Sequence, residues 1–507
     1  MPQEIELKLA ADPATLASLP QHPVLGPLLN GSPRRAKLLS RYYDTAAAEL
    51  HEAGVALRLR RDGRQWLQTV KGPGSAVAGM HQRAEYEWKI AHPRLDFPKL
   101  ATTPWHKTFV AVNGRLKSLF STDILRISHP LAFADGTRAT LCLDRGFIVA
   151  KGRRSPICEL EIELIDGDAQ RLRELGLQLT TDLPLAVAHR SKAERGYALA
   201  GAIPRQPVRA RRVALPDHAS AAAAVAAVGA DCLEQIGANA EAVADGEDSE
   251  FVHQLRVGVR RLRSLLKFLA TLIPPEEIAP LDEELSWISG ATGVARDWDV
   301  FVSETLASIT PQLESTPARR ALGQLKSRAT RVRLAQRAAM REAAASPRLA
   351  RLLLALGELF AKLASAPPSE AAASAHAVAE NELGRRDKRL SKRVRGMRHA
   401  SPTQRHRARI AAKKLRYASE FFAPLYSKSR AADYIDALAK LQGALGTLND
   451  LATAGRLLGE IVPKDPSRTI AEAAGIVRGW IAASTVSELA HAAKARRAFA
   501  KLKPFWS

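Results

Sequence analysis

Residues 4–8 read Glu4-Ile5-Glu6-Leu7-Lys8, and residues 159–164 read Glu-Leu-Glu-Ile-Glu-Leu. Both segments alternate strictly between charged and apolar residues, which is the period of a β-strand. On each predicted strand the charged side chains share one face, and the apolar side chains pack into a core on the other. These strands therefore place a row of carboxylates opposite their buried face.

Carboxylates that lie close together repel each other and resist ionisation unless a cation is nearby. Hard divalent ions with oxygen ligands, Mg²⁺ or Mn²⁺, are the usual compensating cations. A water-facing sheet with acidic side chains is the simpler explanation for one such strand. Two such strands, together with basic strands elsewhere in the chain, favour a binding site.

Basic residues follow the same alternation. Arg58 and Arg60 lie side by side in the segment Leu-Arg-Leu-Arg at residues 57–60. A lattice of salt bridges could explain acids and bases inside one barrel, but burying so many charges without a ligand is costly. A metal–polyphosphate complex would satisfy both signs, because carboxylates hold the metal and basic side chains hold phosphate oxygens. The other basic residues on strand-like segments include Lys8, Lys71, Arg83 and Arg126.

Composition limits the class of protein and its partners. The 507 residues are enough for two or three domains, and the net charge of +23 predicts a polyanionic partner. Residues 1–200 carry a net charge of +7 and the remainder +16. Three widely spaced cysteines and the lack of a signal-peptide pattern predict a cytoplasmic protein. The apolar stretch 219–230 is too short to cross a bilayer, so no membrane partner is expected.

The first part of the chain is predicted to be rich in strands. Residues 1–202 contain strand-like segments separated by turn signals, which favours an antiparallel barrel or sandwich. Two helices are predicted near residues 12–20 and 168–181. The predicted strands are residues 3–10, 38–44, 54–61, 64–71, 82–91, 121–128, 138–144, 146–151 and 157–165.

The second part is predicted to be helical throughout. The proline- and arginine-rich residues 203–216 indicate a linker. Residues 217–507 show helical periodicity, and a break rich in proline, serine and alanine at 365–373 divides them into two lobes. The predicted lobes are about 217–365 and 374–500.

The helical part contains an internal repeat with an offset of 153 residues. Residues 253–263 align with residues 406–416, and Phe268 aligns with Phe421 in the same register. A single register over about 45 residues predicts a duplicated helical unit.

Each copy of the repeat carries a row of basic side chains on one helix face, which we call the cation ladder. In the first copy the row occupies a stripe roughly 80° wide, with leucine and valine on the opposite side. A charged stripe is usually a solvated face, but acids are nearly absent from this one. The ladder residues are His253, Arg256, Arg260 and Arg263, followed by Lys267, and His406, Arg409, Lys413 and Arg416, followed by Glu420.

Two such ladders facing one groove would bind an extended polyanion by charge neutralisation. Aromatic residues do not alternate with the basic ones, so stacking on nucleic-acid bases is not expected. This favours a phosphate polymer over nucleic acid.

Six separated motifs resemble those of the CYTH family, the triphosphate tunnel metalloenzymes. The first is Glu4-x-Glu6-x-Lys8, and the others occur in the family's order within residues 1–200. The helical part resembles the CHAD domain, whose duplicated bundle carries conserved histidines and binds polyphosphate. The tandem order is similar to that of bacterial inorganic triphosphatases that carry a CHAD domain. The other five motifs are residues 42–45, 57–60, 141–144, 159–163 and 191–197.

The resemblance implies an α+β protein of two domains. The first is an eight-stranded antiparallel β tunnel, and the second is an all-α duplicated helical bundle. Position by position, the resemblance implies an acidic metal site for Mg²⁺ or Mn²⁺. Glu163 is a further acidic position, and Glu85 matches an acidic position of the tunnel whose role is left open. The metal-site positions are Glu4, Glu6, Asp144, Glu159 and Glu161. The phosphate-binding positions are Lys8, Arg58, Arg60, Lys71, Arg83, Arg126 and Lys192.

The leading hypothesis is a metal-dependent triphosphatase that converts tripolyphosphate into pyrophosphate and phosphate, with long-chain polyphosphate bound by the helical part. Metal ions screen the charge of the triphosphate, and basic side chains stabilise charge on the departing oxygens. A water oriented by Glu161 or Glu163 attacks the terminal phosphorus, and Lys8 is placed with them as a catalytic residue.

Two alternatives remain open. The protein could bind polyphosphate without catalysis, or the tunnel could act on thiamine triphosphate, a nucleoside triphosphate or an RNA 5′ triphosphate, or cyclise ATP as an adenylate cyclase. No pocket for a base stands out in residues 1–200, because the aromatic residues there are expected to pack in the core or on the surface. These aromatic residues are Trp66, Tyr86, Trp88 and Trp105. In the second lobe Asn449 stands where Arg296 does, and Ala452 replaces Asp299, so the two lobes are not expected to bind equally.

Overall fold

The first part of the chain folds into a closed antiparallel barrel. The computed structural model describes residues 3–216, 218–246, 249–270, 272–366, 374–396 and 400–506. Eight strands form the barrel, and a ninth short strand pairs with the first. The strands are β1 (Gln3–Ala10), β2 (Arg34–Asp44), β3 (Ala56–Asp62), β4 (Gln65–Val77), β5 (Met80–Ile90), β6 (Lys117–Ala132), β7 (Arg138–Ala150), β8 (Arg153–Asp166) and β9 (Ala186–Val187).

The barrel closes because its first and fifth strands pair. The hydrogen-bonded order is β5-β4-β3-β2-β6-β7-β8-β1, and β1 also pairs with β5 in an antiparallel register. The predicted eight-stranded antiparallel barrel is therefore confirmed.

Two of the predicted strands are continuous in the structure. Residues 138–144 and 146–151 were expected to form two strands, but they form the single strand β7. The reason lies at Gly146, where an added Cβ would be 2.0 Å from the backbone oxygen of Asp123 on β6. Without a side chain, Gly146 lets β7 pass close to β6 and continue as one strand.

Six helices accompany the barrel, and the apolar strand faces pack against them. Leu7 of β1 and Leu160 of β8 lie in one core with Leu172 and Leu179 of the fifth helix. Since neighbouring residues of a strand point to opposite faces, the charged side chains of these strands point into the barrel. The helices are α1 (Pro13–Ser18), α2 (Glu49–Glu52), α3 (Phe97–Leu100), α4 (His106–Val112), α5 (Gln170–Asp182) and α6 (Lys192–Leu199).

Helix α6 packs against the inward face of the barrel. The ring of Tyr197 contacts Phe120 edge to face, with centroids 5.2 Å apart, and Phe120 stacks on Tyr42 at 4.6 Å. The Tyr197 hydroxyl donates a hydrogen bond of 2.8 Å to the buried carboxylate of Asp44. This aromatic cluster occupies part of the barrel interior and leaves the charged part as a cavity.

The second part of the chain is helical in its described residues, as predicted. A π-helical turn at Phe301–Thr305 follows the third of these helices. Trp298, Phe301, Leu322 and Leu457 lie together in one of its hydrophobic clusters. The helices are α7 (Ala221–Ala244), α8 (Ser249–Leu269), α9 (Pro275–Val300), α10 (Leu306–Ile309), α11 (Thr316–Ala345), α12 (Pro347–Ser365), α13 (Ala375–Arg393), α14 (Pro402–Phe422), α15 (Lys428–Ile461) and α16 (Arg468–Phe499).

The chain divides into two compact units. The barrel unit consists of residues 1–208 with two short pieces, 237–241 and 345–361, and the helical unit holds the remainder. The predicted bounds of 1–202, 203–216 and 217–507 remain a proposal. The predicted break at 365–373 lies largely outside the described residues.

Helix α7 is the one described helix that is long and apolar enough to cross a membrane, by length and composition alone. The sequence analysis underestimated this stretch, since the apolar helix continues to Ala244 instead of ending near Ala230. The polar residues that follow, such as Gln235 and Asn239, are buried and do not end the helix. Within its most apolar window 67% is buried inside the fold, as in the core helix of a globular domain.

Candidate active site

A cavity of about 570 Å³ occupies the charged part of the barrel. Glu6, Arg58 and Glu161 come from three different strands and all line it. Seven basic and six acidic side chains surround this one space. The basic ones are Lys8, Arg58, Arg60, Lys71, Arg83, Arg126 and Lys192, and the acidic ones are Glu4, Glu6, Glu85, Glu87, Glu161 and Glu163.

Lys8 lies between carboxylates of two neighbouring strands. Its Nζ is 2.5 Å from Glu161 Oε1 and 3.0 Å from Glu6 Oε1, and all three side chains are buried. The register of β1 and β8 places Lys8 opposite Glu161 and Glu6 opposite Glu163. Burial lowers the pKa of the Lys8 amine, but Glu161 and Glu6 outweigh burial and raise it above its ordinary value. Lys8 is therefore a cation at neutral pH.

Lys192 lies among three buried carboxylates. Its Nζ is 2.8 Å from Asp144, 2.5 Å from Glu159 and 2.8 Å from Glu161. One oxygen from each carboxylate lies within 4.8 Å of the others, which is close enough for a shared metal ion. Arg126 also pairs with this group through two hydrogen bonds to Asp144 of 2.7 and 2.6 Å and a contact with Glu161. The protein's own cations thus already compensate this acidic cluster.

Hydrogen bonds at the N-terminus of α6 fix the position of Lys192. Ser191 caps the helix, and Glu194 completes a capping box with it. Just before the cap, Glu241 accepts hydrogen bonds from the backbone N–H groups of His189 and Arg190, at 2.8 and 3.1 Å. These contacts fix the direction in which Lys192 enters the barrel.

A second group of ion pairs involves β1, β4 and β5. Lys71 Nζ lies 2.6 Å from Glu4, and Arg83 lies 2.9 Å from Glu4 and 3.2 Å from Glu6. Burial raises the pKa of Glu4, but Lys71 and Arg83 outweigh it and hold the pKa below its ordinary value. Arg58 is more loosely paired, with Glu85 at 3.6 Å.

Arg60 and Glu163 are the two lining charges for which the described residues provide no ion pair. Arg60 donates a hydrogen bond to Ser40 Oγ at 3.2 Å, and burial together with Arg58 and Arg126 lowers its pKa to about 10. Burial together with Glu4 and Glu6 raises the pKa of Glu163 to about 7. Among the described residues, the cavity therefore holds one cation and one carboxyl group that form no ion pair.

In the helical unit, the two copies of the cation ladder lie on α8 and α14. Phe268 and Phe421, which occupy equivalent positions of the repeat, contact each other with ring centroids 6.5 Å apart. Burial and the charges of Arg260 and Arg409 lower the pKa of the Lys413 amine to about 6. Arg256 and Arg260 of α8 therefore lie near Arg409 and Lys413 of α14, and we call these four residues the inner ladder.

Comparison with known families agrees with both halves of this geometry. Residues 2–197 match the CYTH domain, and residues 227–459 match the CHAD domain. The chain is a CYTH domain followed by a CHAD domain.

Two relatives illustrate the similarity. The inorganic triphosphatase of Haemophilus influenzae is 31% identical over 200 residues, which are 39% of this chain and 55% of that protein. The match thus spans about half the length of that relative. The crystal structure of the CHAD domain from the plant Ricinus communis is 36% identical, with a TM-score of 0.52, and the match covers 59% of this chain and 98% of that one.

Within the CHAD domain the inner ladder differs in its partners from Arg263 and Arg416, which we call the outer ladder. Arg263 lies 2.9 Å from Asp282, and Arg416 lies 2.8 Å from Glu420. The expectation concerned the stripe itself, in which Glu420 is the acid that the sequence analysis named; Asp282 reaches Arg263 from α9, outside the ladder sequence. By contrast, Arg260 and Lys413 have neither an ion pair nor a hydrogen bond with any described residue.

The remaining ladder residues are held by neighbouring helices. Arg256 donates a hydrogen bond of 2.7 Å to the backbone oxygen of Thr292, and Arg409 lies 4.0 Å from Asp450. His406 Nδ1 is 2.6 Å from Asn449 Oδ1. His253 is half-buried, and burial lowers its pKa.

The predicted CYTH residues form two groups, one that lines the cavity and one that does not. All seven phosphate-binding positions line the cavity, as do Glu4, Glu6, Glu85, Glu161 and Glu163. Asp144 and Glu159 are buried beside Lys192 and do not line it. The catalytic and binding roles of these residues remain proposals.

Three residues of the site were missed by the sequence analysis. Glu87 lines the cavity and accepts a hydrogen bond of 2.9 Å from Thr69; its period-two spacing from Glu85 was the available signal. Arg195 lies 2.9 Å from Glu159, and Tyr42 lines the cavity beside Arg58.

Two aromatic residues also border the cavity. Tyr86 and Trp88 stack with ring centroids 6.0 Å apart, and Tyr86 meets Trp105 edge to face. They pack as predicted, but they also contribute to the cavity wall, which the sequence analysis did not expect. Tyr86 and Trp88 alternate with Glu85 and Glu87 along β5, so their rings lie on the opposite face of the strand, in a hydrophobic cluster with Leu57 and Val70.

Proposed function

We propose that the CYTH domain is a metal-dependent inorganic triphosphatase that converts tripolyphosphate into pyrophosphate and phosphate. The observation that carries the proposal is the presence of seven cations and six carboxylates around one cavity. An anion alone would be repelled by the carboxylates, and a metal alone by the cations. A metal–triphosphate complex suits both sets of charges.

The chemistry of the carboxyl groups fits a divalent cation. Glu163 has no ion-pair partner among the described residues, and its pKa of about 7 reflects burial and the neighbouring Glu4 and Glu6. Oxygen ligands of this kind suit Mg²⁺ or Mn²⁺. Bound there, the metal would screen the phosphate charge and make a water molecule more acidic. The proposed metal-holding residues are Glu4, Glu6, Asp144, Glu159 and Glu161, with Glu163 beside them.

The basic side chains are proposed to bind the phosphate chain. Arg60 is free to do so at once, because it has no carboxylate partner among the described residues. Lys8, Lys192 and Arg126 would exchange contacts with Glu161 for contacts with phosphate oxygens as substrate enters. Charge-assisted hydrogen bonds of this kind stabilise the negative charge that develops on the leaving group.

Of the two carboxylates considered for orienting water, Glu163 is better placed than Glu161. Three cations, Lys8, Lys192 and Arg126, contact Glu161, and they hold its pKa well below its ordinary value even though burial opposes this. Glu161 is thus a poor proton acceptor. Glu163 has no such partner and is proposed to accept the proton of the attacking water.

Replacing Glu6 by Gln tests the site. The change keeps the shape of the side chain and removes one charge next to Lys8. We expect Mg²⁺-dependent phosphate release from tripolyphosphate to fall at least 100-fold while the circular dichroism spectrum is unchanged. Glu49→Gln, at a half-buried carboxylate that lies outside the cavity and pairs with Arg115, is the matched control. Undiminished turnover in Glu6→Gln would refute the site.

A substrate panel separates the enzyme hypotheses. Initial rates with tripolyphosphate, ATP and thiamine triphosphate, each with Mg²⁺ and Mn²⁺, rank the substrates directly. We expect tripolyphosphate to be hydrolysed fastest, because most of the cavity wall is charged. Base-bearing triphosphates remain the second candidate, and formation of cyclic AMP would identify a cyclase.

We propose that the CHAD domain binds long-chain polyphosphate through the inner ladder. Arg260 and Arg409 help to lower the pKa of Lys413, and burial together with Arg260 lowers the pKa of Arg256 to about 10. A polyanion would relieve this repulsion, and its binding should weaken steeply with salt. A protein that binds polyphosphate without hydrolysing it is the remaining alternative.

We keep the cytoplasm as the proposed compartment. Cys142, Cys158 and Cys232 are all free thiols in the structure. Unpaired cysteines are typical of reducing compartments.

A further inference from the structure

The helical unit has a second basic cavity, away from the inner ladder. Its volume is about 570 Å³, and it lies among α8, α13 and α14. Six of its lining side chains are basic, and one is acidic. The basic ones are Lys267, Arg385, Arg386, Arg389, Arg393 and Lys414, and the acidic one is Glu382.

The single carboxylate compensates only two of these cations. Glu382 lies 2.7 Å from Arg385 and 3.3 Å from Arg386. Within the described ranges, the other four lining cations have no carboxylate partner. They are Lys267, Arg389, Arg393 and Lys414. A cavity that gathers uncompensated cations suits a multivalent anion.

The two copies of the repeat differ at the position that Lys414 occupies in the second copy. At the offset of 153 residues, Lys414 corresponds to Arg261. In the first lobe Arg261 is buried, lies 2.9 Å from Asp231 and donates a hydrogen bond of 2.8 Å to Gln235. Equivalent positions are thus a closed ion pair in one lobe and part of an open basic cavity in the other.

This cavity is separate from the inner ladder. Lys413 and Lys414 are consecutive on α14, so their side chains point about 100° apart. Beyond burial, Arg260 and Arg409 lower the pKa of Lys413, whereas Lys267 and Arg386 lower that of Lys414.

We propose that the cavity lined by Lys267, Arg389, Arg393 and Lys414 is a second phosphoanion site, which binds a short inorganic oligophosphate. No aromatic side chain lines it, so a base would find no stacking partner. Burial and Lys267 lower the pKa of Lys414 to about 8, a repulsion that a bound anion would relieve. The inference extends the proposed polyphosphate binding but does not depend on the ladder.

Lysine labelling of the full-length protein tests the site. Tripolyphosphate is the probe, with chelator present so that divalent metal is absent, and an amine-reactive ester labels lysines for quantification by mass spectrometry. We expect tripolyphosphate to slow labelling of Lys414 and Lys267 at least fivefold, whereas the exposed Lys440 is unaffected. Undiminished labelling of Lys414 at saturating tripolyphosphate would overturn the proposal.

Two variants distinguish this site from the ladder. Arg389→Ala with Arg393→Ala should abolish protection of Lys414 and leave protection of Lys413 intact, and Arg260→Ala should do the reverse. If Arg260→Ala abolishes both protections, there is one continuous site and the inference is wrong. If tripolyphosphate protects Lys414 but not Lys413 in the protein without substitutions, ladder binding is refuted and the second site is supported. Circular dichroism confirms that each variant is folded.

Discussion

Lys8 Nζ lies 2.5 Å from Glu161 Oε1, across the paired strands β1 and β8 in the barrel interior. The pair brings one proposed phosphate-binding residue against one proposed metal-holding residue. Each keeps the other charged in a buried setting. In our proposal the substrate and the metal enter together. The phosphate replaces Glu161 as the partner of Lys8, and the metal replaces Lys8 as the partner of Glu161.

Removing one partner of the pair should destabilise the protein. Lys8→Met leaves Glu161 with Lys192 and Arg126, and Glu161→Gln leaves Lys8 with Glu6, so each change removes part of the compensation of a buried charge. We expect each to cost about 0.5–3 kcal/mol of unfolding free energy. The double variant should lose less than the sum of the two single variants. Urea unfolding of the four proteins measures the coupling, and additive losses would contradict a direct interaction.

Arg60 and Arg126 should separate binding from stability. Arg60→Met removes a cation without a carboxylate partner and relieves repulsion from Arg58, so the unfolding free energy should change by less than about 1 kcal/mol. The KM for tripolyphosphate should nevertheless rise at least tenfold. Arg126→Met leaves Asp144 with fewer partners and should destabilise the fold by about 3 kcal/mol. Equal stability losses in the two variants would contradict this assignment.

Glu163 should make the metal-free protein less stable as pH rises. Its folded pKa is about 7, whereas the ordinary value is 4.5, so the folded state binds the extra proton between these values. The resulting stabilisation is complete below pH 4.5 and is lost as pH rises through 7, a change of ~2 kcal/mol after allowance for partial exposure.

Calorimetry from pH 4.5 to 8 with chelator present checks this slope. Glu163→Gln should flatten it, and Mg²⁺ should stabilise the unchanged protein more than the variant at pH 8. An identical pH profile in Glu163→Gln would show that other groups produce the slope.

Lys413 should take up a proton when polyphosphate binds. Its pKa is about 6 in the free protein, so the amine is largely neutral at pH 7.5, and a bound polyanion would favour the charged form. Affinity should therefore fall as pH rises above 6. Titration calorimetry in two buffers of different ionisation enthalpy measures the uptake, expected to approach one proton per site. Lys413→Arg should bind without this uptake; unchanged uptake in that variant would exclude Lys413 as its source.

Charge reversal should distinguish the inner from the outer ladder. Arg260→Glu with Lys413→Glu removes two cations without carboxylate partners and should weaken polyphosphate binding at least 100-fold at low salt. Arg263→Glu with Arg416→Glu makes the same change in charge at residues already paired with Asp282 and Glu420. We expect a smaller loss there, because those cations are partly neutralised. Equal losses would show that net charge alone determines binding.

Much of the fold follows from local pattern. The alternation in residues 4–8 and 159–164 predicts two strands and the face on which Glu6 and Glu161 lie, because side-chain direction on a strand depends only on sequence position. The repeat offset of 153 residues likewise predicts the duplicated helices α8 and α14. Gly146 was harder to interpret, since its effect depends on the distance to β6.

Other features depend on partners that are distant in the chain. Asp282 neutralises Arg263 from α9, and Lys267 of α8 and Lys414 of α14 complete the cavity that holds Arg389 of α13. Pattern within one helix shows which face is charged, but not which face of another helix comes to lie against it. For this reason the neutralisation of Arg263 and the second basic cavity could not be predicted.

The sequence by itself determined which residues are charged and which strand or helix face carries them, because these properties are local. The tertiary structure decided which of the charges are compensated. Lys192 reaches Asp144, Glu159 and Glu161 only because α6 enters the barrel, and Glu163 is left without a cation only because Lys8 pairs with Glu161 and Glu6 instead. Electrostatic energy depends on distances between atoms, and closure of the barrel sets those distances.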